Sequence, residues 1–95
     1  MERRNVEKLF YRLIVFAERN FAELYYMAQA LGAEGIAELT PESFLGVAKE
    51  YLSDGDAVET AKILMELAEE GKFTVAKHVL FGTAKEAYEE ELALT

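Results

Sequence analysis

Between Asn5 and Leu31 apolar side chains recur at intervals of three and four residues: Val6, Phe10, Leu13, Ile14, Ala17, Phe21, Leu24, Tyr25, Ala28 and Leu31. That is the repeat of one face of an α-helix. A second stripe, Tyr11, Val15, Ala22 and Tyr26, runs beside the first, and Leu9, Phe16 and Met27 flank the other side. Only a strip near Arg12, Arg19 and Glu23 is fully polar. A helix that is apolar nearly all round needs cover nearly all round. This segment predicts a long first helix, about Asn5 to Leu31, that the rest of the chain must wrap. Three shorter helices cannot easily cover both stripes, so Tyr11, Val15, Ala22 and Tyr26 form the candidate interface with a second copy. A two-fold dimer is the expected form, being the commonest closed symmetry. The competing expectation is a monomer whose later helices cover the second stripe as well.

The remaining helices are read from punctuation by one proline and six glycines. Gly32 stands where a helix C′ residue belongs. Thr40 is a predicted N-cap, followed by Pro41 at the first helical position, where a missing N–H costs nothing. That second helix carries Phe44, Leu45, Val47, Ala48, Tyr51 and Leu52. A third is expected from Asp56 as N-cap, with Glu59 three residues on as in a capping box, and a stop near Gly71. A fourth runs from about Phe73 to Leu92, its inner face formed by Ala76, Val79, Leu80, Thr83, Ala84 and Ala87. No segment alternates at period two for long. The fold class is all-α: a compact four-helix bundle, one domain over residues 1–95, with a long N-terminal helix followed by three shorter ones.

Asp54-Gly55-Asp56 and Glu70-Gly71-Lys72 each join a glycine turn to a helix with an Ala-Lys pair, Ala61-Lys62 and Ala76-Lys77. The pattern is similar to helical-hairpin repeats of the tetratricopeptide type, without that family's large aromatic pattern. Two ordinary helix turns are the simpler reading.

Charge is unevenly spread. The chain has 18 Asp and Glu against 10 Lys and Arg, a net −8. Every arginine lies in the first 19 residues, so the start is basic and the rest strongly acidic. Arg4, Lys8 and Arg12 are four apart and, with Arg3, make a candidate basic patch along one helix edge. A nucleic-acid accessory role is one reading of it. The net charge opposes that role. Internal or intersubunit pairing with Glu89, Glu90 and Glu91 is the alternative, since both sets oppose their own helix dipoles and meet in an up-and-down bundle. Few amides beside many glutamates is a composition reported for thermophile proteins. The apolar run Leu13 to Ala17 is far short of the roughly 20 residues of a membrane span, and the charged start resembles no leader. A cytoplasmic location without membrane contact is expected.

Several chemistries lack their residues. With no cysteine there is no disulfide framework, thiolate metal site or cysteine nucleophile. The one histidine, His78, has Val75 three residues before it, so neither a Glu-x-x-His pair nor a twin-histidine zinc site is present. Ser43 and Ser53 are explained by capping. Gly32-Ala33-Glu34-Gly35 lacks the spacing and the preceding strand of a phosphate loop. No cofactor or metal is expected.

His78 falls opposite Ala76, Leu80 and Ala87 at 100° per residue, so it is expected on the exposed side, with Gly82 one turn on clearing space. The string His78-Val79-Leu80-Phe81-Gly82-Thr83-Ala84 resembles the segment around the phosphorylated histidine of histidine phosphotransfer domains, which are acidic four-helix bundles of about this size. The resemblance implies a phosphoacceptor role for His78. It departs where that family has a lysine three residues after the histidine. Here the residue is Phe81, and Lys85 lies about two turns away. A cation there helps hold the phosphoryl group by charge. The leading expectation is a non-enzymatic, self-associating helical protein with an unidentified protein partner; the phosphotransfer and nucleic-acid readings are its rivals.

Overall fold

The computed structural model describes the backbone of residues 3–82 and the side chains of residues 5–82. Among these residues the protein is all-α, without a strand. The helices are α1 (Arg3–Arg19), α2 (Phe21–Glu38), α3 (Pro41–Ala48), α4 (Asp54–Glu69) and α5 (Phe73–Lys77). A π-helical turn, His78–Gly82, continues α5.

The expected single helix from Asn5 to Leu31 is two helices. Asn20 interrupts it with φ −120° and ψ 33°. Its backbone N–H still donates to the Phe16 carbonyl at 3.0 Å, and its side-chain amide donates to the same carbonyl at 3.2 Å. Asparagine offers the backbone such local alternatives to regular helix, and hydrophobic periodicity does not register one turned residue. The described part thus has five α-helices where four were expected, with no long unbroken N-terminal one. Gly32 breaks the chain as expected, with φ 71° and ψ 171°. Helix then resumes beyond it to Glu38 within α2, a segment that periodicity did not reveal.

Capping explains the next two starts. Thr40 Oγ1 accepts from the Ser43 N–H at 3.1 Å, and Ser43 Oγ accepts from the Thr40 N–H at 2.9 Å. This reciprocal pair fixes the start of α3 behind Pro41. The N-cap of α4 is Ser53 rather than Asp56: Ser53 Oγ accepts from the Asp56 N–H at 3.2 Å. Asp54 and Asp56 instead occupy the first turn, where their charge complements the helix dipole. Gly55 therefore lies inside α4, whereas Gly71 ends it at φ 71°. The two glycine segments do different work and are not a repeat. α5 begins at Phe73 as expected, and the chain passes into the π turn at His78. The expected helix to Leu92, and Glu89, Glu90 and Glu91 with it, lie outside the described residues beyond Gly82.

The core forms where α1 packs on α4 and on the π turn, α3 on α4, and α4 on α5; α2 packs on the π turn and on α1. Leu13, Leu24, Met27, Phe44, Ile63, Leu64, Leu67 and Leu80 are its large buried side chains. Burial of each is worth roughly 1.5–3 kcal/mol. Phe44 and Phe81 meet edge to face with centroids 6.5 Å apart. Main-stripe residues Leu13, Ala17 and Leu24 are fully buried, while Ile14 stays partly in water.

Candidate functional site

Two surfaces stand out, on opposite kinds of wall. The first is the face of α1 and α4. Tyr11 is 69% and Val15 41% exposed, one turn apart on α1. A shallow groove of about 160 Å³ runs between Tyr11, Val15 and Phe16 on one side and Glu59 and Ile63 on the other. Val58 and Met65 of α4 are exposed as well, and neighbouring hollows at Arg12 join them to this groove. Two ion pairs cross it: Arg12 to Glu59 at 3.5 Å and Arg19 to Asp56 at 3.3 Å. The Arg19 guanidinium also lies 5.8 Å from the Phe16 ring centre. Of the remaining second-stripe residues, Tyr26 is 50% exposed and Ala22 half-buried. Both lie on α2, past the turn at Asn20, so Tyr11–Val15 and Ala22–Tyr26 belong to two helices rather than one straight face.

The candidate basic patch is placed in part. Lys8 is exposed and Arg12 carries its pair with Glu59. Arg3 and Arg4 stand in the first turn of α1, and their side chains lie outside the description. Among the described residues α4 meets this edge through Glu59 at Arg12, and Asp56 meets Arg19 further along α1.

The second surface is a cleft of about 670 Å³ between α2 and the wall made by α5 and the π turn. Tyr25 and Gln29 stand on the α2 side, where the Gln29 side-chain amide donates to the Tyr25 hydroxyl at 2.7 Å. Gly32, Thr74, His78 and Phe81 complete the outline. His78 is exposed. Its ring lies against Gly82, where an added Cβ would stand 3.8 Å from it. Phe81, which holds the place of the phosphotransfer family's lysine, is buried against Phe44.

Lys77 is the residue the sequence reading missed. It is only 8% exposed. Its ammonium donates to the carbonyls of Ile36 at 2.9 Å, Ala37 at 3.1 Å and Leu39 at 3.3 Å. All three of its N–H donors are thereby used, on carbonyls at the C-terminal end of α2, where a cation also complements the dipole. The ammonium lies 4.9 Å from the Phe73 ring centre, a cation–π distance. A signal for this was present: Phe73, Lys77 and Phe81 are spaced by four, so Lys77 shares a helix face with two aromatics.

Among the described residues no cluster of three His, Asp or Glu could hold a metal ion, and no helix is long and apolar enough to cross a membrane. No protein-family model, curated protein or solved structure matches the chain.

Proposed function

We propose that this chain is a non-enzymatic interaction protein that works by self-association, with the α1/α4 face meeting a second copy. The observation that carries it is Tyr11 and Val15 standing in water beside a groove whose two sides bear opposite charge. α1 holds Arg3, Arg4, Lys8, Arg12 and Arg19 against Glu7 and Glu18. α4 holds Asp54, Asp56, Glu59, Glu66 and Glu69 against Lys62. A two-fold axis along such a groove lays the cationic helix of each copy over the acidic helix of the other, while Tyr11, Val15, Val58 and Met65 meet across it. A surface of that kind is self-complementary, which an isologous dimer requires. The same acids, standing beside Arg12 and Arg19, repel phosphate and so disfavour the nucleic-acid reading. The buried Phe81 disfavours the phosphotransfer reading of His78.

Sedimentation equilibrium at tens of micromolar tests the proposal. The expected result is a dimer that Val15→Asp and Tyr11→Glu each weaken about tenfold or more, because each would bury an unpaired charge. Both sites are exposed, so the melting temperature of the dissociated chain should hold. Tyr26→Glu asks whether the α2 part of the stripe belongs to the interface. A monodisperse monomer at that concentration removes the proposal.

A further inference from the structure

The cleft between α2 and the α5–π wall differs in chemistry from the rest of the surface. Its size, about 670 Å³, falls within the range of small-molecule sites. Both walls depart from regular helix where they face it. On one side α2 breaks at Gly32, in a φ/ψ region open essentially to glycine alone. On the other the chain widens into the π turn, and π turns are frequent at functional sites. Glycine or alanine at positions 28, 32, 33, 37 and 82 keeps side chains out of the space between.

The lining also separates by charge. Among the described residues no carboxylate lines the cleft, in a chain with 18 acids against 10 Lys and Arg. Lys77 is the cation among the described lining residues, and His78 brings an imidazole. Lys77 commits its N–H groups to Ile36, Ala37 and Leu39, so what it offers a ligand is its charge, held in a largely desolvated place where charge acts over a longer range. His78 is exposed, and an imidazole has a ring N–H able to donate. Ile36 and Phe81 give apolar contact, and the Tyr25–Gln29 pair stands on the same wall as Gly32.

We infer that this cleft binds a small apolar carboxylate, its hydrocarbon part against Ala33, Ile36 and Phe81 and its anionic group toward His78. This site is independent of the α1/α4 face.

The test is a ¹H–¹⁵N NMR and calorimetric titration of the full chain with naphthalene-2-carboxylate and with the uncharged 2-naphthamide. The carboxylate should bind at least about fivefold tighter, a difference of about 1 kcal/mol, and shift the amides of Gly32 and Gly82. Ala37→Phe, at an exposed position on the rim, should fill the cleft and weaken both probes about tenfold. His78→Gln should narrow the preference for the carboxylate and leave the amide unchanged, the remainder being the contribution of the Lys77 charge. Val15→Asp, on the other face, should alter neither. Equal affinity for the two probes, shifts confined to α1 and α4, or no binding of either at millimolar concentration would overturn the inference. So would NMR contacts between residues 83–95 and Ala28 or Ala33 in the ligand-free protein, since the chain's own segment would then occupy the cleft.

Discussion

α4 and α2 end in opposite ways. α4 closes on itself: Gly71 turns to φ 71°, its N–H donates to the Ala68 carbonyl at 3.0 Å, and the Lys72 N–H donates to the Leu67 carbonyl at 2.9 Å. Every group involved lies within six residues. α2 instead runs past the Gly32 break and has its last carbonyls gathered by Lys77, about 40 residues further along. The first ending is a property of a short peptide and forms with the helix. α2 keeps one local bond, from the Leu39 N–H to the Ile36 carbonyl at 3.2 Å, but the Lys77 contacts exist only after α5 has docked, so the end of α2 is a tertiary structure as much as a secondary one. Helices of one small domain can thus differ in what holds them, although both finish with satisfied carbonyls.

The sharpest way to break this comparison is Lys77→Met. It removes a buried cation and leaves the Ile36 and Leu39 carbonyls without that donor, which should cost about 2–3 kcal/mol in urea unfolding. Amide exchange should rise first at residues 33–39. A loss under about 1 kcal/mol would mean that α2 ends locally after all. At the local ending, Gly71→Ala should cost about 1–1.5 kcal/mol from the left-handed backbone alone, because an added Cβ meets nothing within 4 Å. Exchange should then rise with global stability and not at one segment. Ser53→Ala, at the other end of α4, should cost about 1 kcal/mol by removing the cap on the Asp56 N–H. The smallest effect is expected at the exposed Arg12–Glu59 pair, where a double-mutant cycle should give about 0.5 kcal/mol or less, fading with added salt.

The same contrast separates what the sequence made legible from what it did not. All-α character, the Thr40-Pro41 start, the break at Gly32 and the stop at Gly71 are local events, each written in a few neighbouring residues. The exposed side of His78 followed from helical angle counting. Asn20 was missed because one turned residue leaves the three-and-four spacing of its neighbours intact. The sequence does not decide the N-cap of α4, because two good capping residues, Ser53 and Asp56, lie within one turn of each other and spacing does not choose between them. The role of Lys77 needed a partner far along the chain. The cleft was likewise invisible beforehand, since its walls come from residues 25–37 and 74–82 and meet only in the folded protein.

Asn20 leaves α1 and α2 joined by a single residue. A joint of that length has only two soft torsions, so the bend between the helices is governed by one φ and one ψ. Setting both to helical values would merge residues 3–31 into one rod of about 43 Å at 1.5 Å per residue. α1 packs on α4 and on the π turn, and α2 packs on the π turn and on α1. One φ and one ψ at Asn20 therefore set how the two N-terminal helices divide the π turn between them, and a change at that residue reaches the core through geometry alone.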